Sequence, residues 1–416
     1  MKSLKKKFNA VQTLIKHHKI ASGHDISSGG LITTLLELCF ADNNLGADIQ
    51  LSKFKEQDIF KILFSENSGI VFQVNEEITN EFKELGIEPL YLGEVNATGA
   101  LKISHKDQNL EFDINTYRNH WMQTSYEFDK HQSGEKKAKE RHDNFKHNAL
   151  KFKFPEHFDG TLKAIKGKRV KAAIIREKGS NSEREMARAM YLAGFDVKDI
   201  HMTDLMSGEE TLEDVQFIAV VGGFSNSDVL GSAKGWAGTF KYNENANLAL
   251  RNFFEREDTL SLGVCNGCQL FVELGLITPH HKDKPKMLHN DSGKFECRFT
   301  AVDIAESSSI MLKSLEGSTL GIWIAHGEGK FHLPLEESKY SIPAKYFRKE
   351  FPCNPNGSDY NAAMLCDDSG RHLVMMPHLE RSTFSWNWAH YPKDRKDDVS
   401  PWIEAFQNAK HWLDKH

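Results

Sequence analysis

Apolar runs alternate with amphipathic segments along the second half of the chain. VKAAIIRE (170–177), FIAVVGGF (217–224) and TLSLGVC (259–265) are nearly continuous apolar runs that end in glycine, polar residues or cysteine. The segments 180–195 and 244–257 between them have the apolar spacing of helices. Strands this uniformly apolar are typical of a parallel sheet covered by helices on both faces. The pattern therefore predicts an α/β fold with a doubly wound, mostly parallel sheet.

Two later segments extend this pattern. GIWIAHGEG (321–329) and HLVMMPHLE (372–380) predict further strands, and SPWIEAFQNAKHWLDK (400–415) predicts a closing helix with Ser400 as N-cap and Pro401 in its first turn. In doubly wound sheets, ligands bind at the carboxyl ends of the strands. The residues that follow each apolar run are therefore the candidates for chemistry.

Residues 20–125 mix short strands and helices. GHDISSGGLITTLLELCFA (23–41) is a glycine-rich turn that runs into a helix, GIVFQV (69–74) predicts a strand, and EEITNEFKELG (76–86) predicts a helix. Short alternating strands follow at LYLGEV, ALKISH and LEFDI. Because little chain precedes the glycine-rich turn, we expect part of an α+β domain rather than a complete one.

A polar and charged stretch separates the two regions. From residue 129 it reads DKHQSGEKKAKERHDNFKHN, which is typical of a linker or of a solvated surface helix. We therefore predict a partial α+β subdomain at 1–128, a polar linker at 129–167 and an α/β domain at 168–416.

The composition excludes some classes of function. The 416 residues carry 53 basic and 58 acidic side chains, a formal net charge of −5, which gives no attraction to nucleic acid or to an anionic membrane. No apolar run approaches the ~18–20 residues that a membrane span needs, and the basic start MKSLKKK is followed by polar residues where a secretory signal would be apolar. Six cysteines without such a signal are expected to stay reduced. We expect a cytoplasmic protein that binds neither nucleic acid nor a membrane.

The stretch LGVCNGCQLF (262–271) places Cys265 and Cys268 in C-x-x-C spacing directly after an apolar run. A zinc site would need a second pair of ligands, and the other four cysteines are isolated. A thioredoxin-like redox pair also lies at a strand-to-helix junction, but its usual aromatic and proline neighbours are missing. A third interpretation is a nucleophile elbow, G-x-C-x-G, built on Gly263, Cys265 and Gly267. A buried structural cysteine in a glycine-flanked turn is the fourth.

The elbow interpretation gives each residue of the turn a role. Cys265 would lie where a helix begins, and there the helix dipole and free backbone amides favour the thiolate. The backbone N–H of Asn266 would be placed to donate to an oxyanion. Cys268 would then be a small apolar residue in the packing of the helix.

A cysteine nucleophile also needs a base, and the base needs an orienting group. MPHLE (376–380) ends an apolar run, and alternation along a strand would place His378 and Glu380 on the same side. Glu380 could then accept a hydrogen bond from the imidazole and fix its tautomer. In a chain with 20 histidines a His-x-Glu pair is weak evidence by itself, so its weight comes from its position late in the same domain.

A glycine pair ends another apolar strand in VVGGFSNSD (220–228). Backbone amides near Gly223 and Phe224 would be free to point at a ligand, which suits a second oxyanion donor. By itself the motif fits an ordinary strand-end loop better.

In this order, GGFSNSD, GVCNGCQ and a distal H-x-E resemble the class I (triad) glutamine amidotransferases. Longer motifs resemble the glutaminase domain of the phosphoribosylformylglycinamidine synthase family over residues 168–416. These motifs are IIREKGSNSEREMA (174–187), GGFSNSDVLGSAKGWA (222–237), GVCNGCQLF, WIAHGEGKF (323–331), NPNGS (354–358) and MMPHLERS. GHDISSGGL, FSENSGIVFQV (64–74) and LGEV (92–95) are similar to the last part of that family's synthetase region, which is related to aminoimidazole ribonucleotide synthetase.

The resemblance implies a flavodoxin-like glutaminase domain whose catalytic triad is Cys265, His378 and Glu380. It implies that the oxyanion and the glutamine are contacted by Gly222, Gly223, Phe224, Asn266, Gln269, His326 and Glu328. It implies neither a metal nor a cofactor in this domain, because ATP and magnesium would be used only by the complete synthetase. There the ammonia would convert formylglycinamide ribonucleotide to the amidine, with the upstream synthetase region as the partner of this domain.

The chain departs from the family pattern at two places. The usual His-Pro-Glu is here His-Leu-Glu, and the usual tyrosine–glycine after GGFS is Asn226–Ser227. His326 and Glu328 also fit an ordinary polar turn. We expect this chain to be the C-terminal part of a longer synthetase, with the turn HDISSGGL as a structural remnant rather than a nucleotide site. An idle fragment and a general cysteine hydrolase of similar fold are the alternatives.

Overall fold

The structure is a computed structural model that describes residues 2–41, 44–75, 78–147, 150–163 and 167–416. The chain divides into two compact units, Met1–Asp129 and Lys130–His416. No helix within the described residues is both long and apolar enough to cross a membrane.

The first unit is the α+β part. Its elements, in chain order, are α1 (Lys2–Lys16), β1 (Ser22–Ile26), α2 (Gly30–Cys39), β2 (Gly46–Gln50), α3 (Ile59–Leu63), β3 (Gly69–Gln73), α4 (Thr79–Glu84), β4 (Gly93–Asn96), β5 (Ala100–His105) and β6 (Gln108–Asp113). One sheet has the strand order β4-β2-β5-β6, with β2 and β5 parallel and the other pairs antiparallel, while β1 and β3 form a separate antiparallel pair. The helix predicted over 76–86 is α4, and residues 76–77 lie outside the described residues.

The glycine-rich turn leads into α2 as its sequence predicts. The helix buries Leu31, Leu35 and Cys39 against the sheet. Gly29 adopts a left-handed conformation (φ 85°), and its amide donates to the Glu66 carboxylate at 2.9 Å. This hydrogen bond links the turn to the loop that carries Glu66.

The helix α5 (Ile114–Asn144) follows, and its helical geometry is interrupted at Gly134 (φ 75°). Later in the stretch predicted as a linker, Lys153 exchanges two backbone hydrogen bonds with Thr319, at 2.8 and 2.9 Å. Phe152 and Phe154 pack edge-on against Trp388. These rings fix this part of the stretch on the α/β domain. Residues 148–149 and 164–166 of the stretch lie outside the described residues.

The remaining elements form the α/β domain. They are β7 (Val170–Arg176), α6 (Glu183–Ala193), β8 (Phe195–His201), α7 (Met202–Ser207), β9 (Phe217–Val220), α8 (Lys234–Tyr242), α9 (Glu244–Glu255), β10 (Leu260–Val264), α10 (Asn266–Glu273), β11 (Lys286–Leu288), β12 (Glu296–Ile304), β13 (Thr319–His326), β14 (Lys330–His332), β15 (Ala344–Tyr346), β16 (Met364–Cys366), β17 (His372–Met375) and α11 (Ile403–Leu413).

A six-stranded sheet with the order β16-β17-β10-β9-β7-β8 is the centre of this domain. All neighbouring pairs are parallel except β16 with β17, which is the antiparallel edge. Every residue of β9, β10 and β17 is buried, which is why these strands read as continuous apolar runs. The predicted α/β fold with a doubly wound, mostly parallel sheet is confirmed.

Three boundaries differ from those that the sequence predicts. The run 372–380 is a strand only as far as Met375. The strand at 321–329 is β13, which belongs to a separate antiparallel sheet with the order β13-β12-β15. The last helix begins at Ile403 rather than after Ser400, because the residues after Ser400 form a tighter turn in which the Ile403 amide donates to the Ser400 carbonyl.

Candidate active site

Cys265 lies on a sharp turn between β10 and α10. Its backbone angles are φ 52° and ψ −106°, a combination that costs free energy for any residue with a Cβ atom. Its amide donates to the Met375 carbonyl at 2.8 Å, which ties the turn to the neighbouring strand β17. The side chain is 5% exposed. A strained residue at a strand-to-helix turn is the arrangement expected of a nucleophile elbow.

The flanking glycines leave no room for side chains. A Cβ atom on Gly263 would lie 2.7 Å from the Gly267 carbonyl oxygen, and one on Gly267 would lie 2.1 Å from the Val220 oxygen. The turn is therefore packed against β9 by backbone contacts alone. This is the physical reason for the G-x-C-x-G spacing.

His378 and Glu380 form a buried pair beside the elbow. Nδ1 of His378 lies 2.7 Å from Oε1 of Glu380, and the two residues are 2% and 3% exposed. They follow β17 in an irregular segment rather than alternating along a strand, and the His378 amide donates to the Trp323 carbonyl at 2.8 Å. A Cβ atom on Gly222 would lie 2.9 Å from the His378 ring and 3.2 Å from the Cys265 Cβ. The structure therefore brings together Gly222, Cys265 and the His–Glu pair.

Electrostatics keep both members of this pair charged. Burial alone would lower the pKa of His378, but the interactions with the Glu380 carboxylate and the Cys265 sulfur raise it to about 10. Burial would likewise raise the pKa of Glu380, but the charge and the hydrogen bond of His378 hold it below its ordinary value. His378 Nε2 is buried and has no hydrogen-bond partner among the described residues. This nitrogen is therefore available to a substrate or to the Cys265 sulfur.

The candidate oxyanion donors differ in their availability. The Phe224 amide donates to the Gly179 carbonyl at 2.9 Å, so it is not the free donor that the sequence predicts. The cause is a short backbone pairing of Gly223 with Ser180. The amide of Gly223 makes no hydrogen bond within the described part of the chain. Asn266 is the first residue of α10, where backbone amides have no partner inside the helix.

The side chains of Asn266 and Gln269 are engaged with protein groups. The side chain of Asn266 is fully buried. Its Nδ2 donates to Gln269 Oε1 at 2.9 Å, and its Oδ1 accepts from the Ser225 backbone amide at 3.1 Å. It also donates toward the Asp228 carboxylate at 3.3 and 3.4 Å. Gln269 Nε2 donates to the Glu328 carbonyl at 2.8 Å. These side chains join the three loops around the elbow, and the sequence did not predict the part played by Asp228.

Cys268 is separated from this chemistry. Its side chain is fully buried inside α10 packing, and burial raises the pKa of its thiol well above the ordinary value. A neutral thiol in an apolar environment is neither a ready metal ligand nor a redox partner. No group of three or more His, Cys, Asp or Glu residues in the described ranges is arranged to hold a metal ion.

His326 and Glu328 lie in a turn (residues 326–329) at the end of β13. The residue before the turn, Ala325, has its carbonyl oxygen 3.6 Å from the Cys265 sulfur. His326 is 2% exposed, and burial together with repulsion from His378 lowers its pKa to about 3. Its imidazole is therefore neutral, and its Nε2 has no hydrogen-bond partner among the described residues. The Ala325 carbonyl that precedes the turn is thus the backbone group of this segment close to the nucleophile.

A cavity of about 710 Å³ borders the His–Glu pair. Its lining includes Trp323, Ala325, His378 and Glu380, together with the arginines Arg184, Arg188 and Arg381. Cys265 is not among the lining residues. The cavity therefore reaches the base and its orienting group, but not the sulfur.

Comparison with known proteins identifies the domain. Residues 169–413 match the family described as CobB/CobQ-like glutamine amidotransferase domain. The chain belongs to this family of glutamine amidotransferases. Residues 1–106 of the amidotransferase chain match a second family, the C-terminal domain of AIR synthase related proteins.

Relatives of the amidotransferase align along nearly its whole length. It is 37% identical to the probable phosphoribosylformylglycinamidine synthase, chloroplastic/mitochondrial, of Arabidopsis thaliana, covering 99% of this chain and 31% of that protein. It is 35% identical to the phosphoribosylformylglycinamidine synthase of Homo sapiens, covering 99% of this chain and 33% of that protein. The chain therefore spans about a third of the length of these relatives. It is also similar to the structure of PurLQS from Thermotoga maritima, with 25% identity, a TM-score of 0.46, and coverage of 59% of this chain and 99% of that one.

Proposed function

We propose that this chain hydrolyses glutamine through a thioester on Cys265. The observation that carries the proposal is the strained, buried Cys265 packed across Gly222 against the His378–Glu380 pair. A nucleophile, a base and an orienting carboxylate in this order form the constellation used for acyl transfer. Membership of the glutamine amidotransferase family supports glutamine as the substrate.

In the first half of the reaction the Cys265 thiolate attacks the side-chain amide carbon of glutamine. The oxyanion that forms accepts hydrogen bonds from backbone amides, for which Gly223 and Asn266 have the free N–H groups. The C–N bond then breaks, and protonated His378 gives its proton to the departing nitrogen, which leaves as ammonia. Glu380 stabilises the imidazolium before this transfer.

In the second half, neutral His378 removes a proton from a water molecule. The resulting hydroxide attacks the thioester carbon, and the same amides hold the second oxyanion. The C–S bond breaks, glutamate is released, and the Cys265 thiolate and protonated His378 are restored. Neither half of the reaction involves a metal or a cofactor.

We further propose that the ammonia serves the conversion of formylglycinamide ribonucleotide to its amidine. The names of the relatives that align over the whole chain support this role. That step uses ATP and magnesium in the complete synthetase. We assign the nucleotide chemistry to the synthetase, as the partner of the glutaminase domain.

Cys265→Ala and Cys268→Ala test the proposal as a matched pair. Because only Cys265 is the nucleophile, Cys265→Ala should reduce glutamate release from glutamine by at least about a thousandfold, whereas Cys268→Ala should retain most of it. Glutamate is measured in a coupled assay, with other amides and a simple ester as competing substrates. Equal loss in both variants would exclude the elbow, and comparable turnover of the ester would favour a general cysteine hydrolase.

A further inference from the structure

The buried residue Asn290 closes the turn formed by residues 326–329. Its backbone amide donates to the Gly327 carbonyl at 2.9 Å, and its side-chain Nδ2 donates to the His326 carbonyl at 2.7 Å. Its Oδ1 accepts from the Gly329 amide at 3.0 Å and lies 3.2 Å from His326 Nδ1. A side chain with both a donor and an acceptor is needed to satisfy the two ends of the turn at once.

Asn356, in the NPNGS segment, holds the same turn from its other end. It is fully buried, and its Nδ2 donates to the Gly329 carbonyl at 2.8 Å and lies 3.0 Å from the Tyr346 hydroxyl. Its Oδ1 accepts from the amide and the hydroxyl of Ser358, at 3.0 and 2.7 Å. Its carbonyl accepts from the Asp291 amide at 3.1 Å, which joins it to the segment that carries Asn290.

The turn itself contacts the groups around the nucleophile. The Glu328 carbonyl accepts from Gln269 on α10, and the Glu328 carboxylate accepts from the Ser232 amide at 3.3 Å. The neighbouring Ala325 carbonyl lies 3.6 Å from the Cys265 sulfur. A displacement of the turn would therefore move the wall of the site immediately beside the reacting atom.

We propose that Asn290 and Asn356 are positioning residues that set the affinity of the site for glutamine. The inference rests on the proposed glutaminase function and deepens it. Neither side chain contacts Cys265 or His378 through any hydrogen bond among the described residues. Removing either side-chain amide would leave buried backbone groups of the turn without hydrogen-bond partners, which costs free energy. The turn would then move until those groups found other partners. Binding would weaken, whereas the triad chemistry would remain.

The test compares Asn290→Ala and Asn356→Ala with Asn408→Ala in the full 416-residue chain. Asn408 lies on α11, and its side chain donates to the Met311 carbonyl and the Ser314 hydroxyl, at 3.0 and 2.9 Å. Asn408→Ala is the control, because it also removes side-chain amide hydrogen bonds but lies outside the proposed site. In the first two variants, KM for glutamine should rise about tenfold, equivalent to 1.4 kcal/mol of binding, while kcat stays within about threefold. Asn408→Ala should leave KM unchanged.

A second measurement does not require turnover. Iodoacetamide serves as the probe of the Cys265 thiol, and we expect it to alkylate this residue in the absence of glutamine. The alkylation of the Cys265 peptide is followed by mass spectrometry with increasing glutamine. The half-protecting glutamine concentration should rise about tenfold in both turn variants, and the rate without glutamine should stay unchanged. If Asn290→Ala does not fold, Asn290→Asp keeps the shape and the acceptor for Gly329, and its half-protecting concentration should rise by a smaller factor.

The outcomes separate the inference from the function on which it rests. Wild-type protein that neither releases glutamate nor is protected by glutamine would refute the proposed glutaminase, and the positioning role with it. Wild-type protein that is protected, with unchanged protection in both turn variants, would refute the positioning role alone. A fall in kcat at constant KM, or an equal shift in Asn408→Ala, would refute it as well.

Discussion

At the scale of single residues, the site depends on a charged pair that is almost completely removed from water. A buried ion pair is stable only when each charge compensates the desolvation of the other and the geometry is good. His378 and Glu380 meet this condition with a contact of 2.7 Å. Removing one partner leaves an uncompensated charge, so each residue holds the ionisation state of the other. The protonated imidazole required by the leaving ammonia is thus a property of the pair.

Glu380→Gln should change how stability depends on pH. The pKa of His378 is raised from 6.5 to about 10 in the folded state, so its contribution is fully present below pH 6.5 and is lost as pH rises toward 10. In the variant the carboxylate is absent and the pKa of His378 falls. The stability difference between wild type and variant should therefore shrink across this window, by at most about 1.4 kcal/mol per pH unit.

Denaturant unfolding at several pH values from 6 to 10 measures this difference. Glu257→Gln is the control, because Glu257 is exposed and forms no ion pair among the described residues. A difference between wild type and Glu380→Gln that stays constant with pH would contradict the assignment of the imidazolium to this pair.

At the scale of elements, local patterns predicted the parallel strands and the elbow, because both are determined by neighbours in sequence. The apolar runs at β7, β9 and β10 mark strands buried on both faces, and the spacing of Gly263 and Gly267 marks a turn in close backbone contact. The end of β17 was missed because His378 pairs with Trp323 of a different sheet. The role of Asn290 was missed because its partners in the turn 326–329 lie thirty-six and more positions away.

The loop after β9 contains three consecutive left-handed residues. Asn226, Ser227 and Asp228 have φ values of 52°, 59° and 47°. Ser227 is exposed, and replacing it by glycine should relieve the steric cost of a Cβ atom at positive φ, which is about 1 kcal/mol. Ser227→Gly should therefore increase the free energy of unfolding, as measured by denaturant titration, by less than this amount, because glycine also gains freedom in the unfolded chain.

Ser308→Gly provides the comparison for this loop. Ser308 is also exposed, but its φ is not positive, so the extra backbone freedom of glycine in the unfolded chain should reduce stability there. Destabilisation by both substitutions would show that Ser227 carries no strain.

At the scale of the whole molecule, the candidate site belongs to a single compact unit. Every residue assigned to the triad, the oxyanion donors and the turn 326–329 lies within Lys130–His416. The main hydrophobic core of that unit includes the buried strands of the six-stranded sheet and Cys265 itself. A unit with its own core that contains every residue of the proposed site has the properties of an independently folding domain.

The fragment 130–416 should therefore retain the glutaminase activity. We expect glutamate release within about threefold of that of the 416-residue chain, since no group of the proposed mechanism is removed. Circular dichroism establishes that the fragment is folded, and the coupled assay measures its rate. A folded fragment without activity would show that residues 1–129 contribute to the reaction.

The backbone of Cys265 gives the position an evolutionary meaning. Its angles, φ 52° and ψ −106°, belong to a region that glycine occupies without penalty. Selection for stability alone would therefore favour glycine there and remove the sulfur. A cysteine in such a conformation marks a site where a less stable backbone is tolerated in return for chemistry.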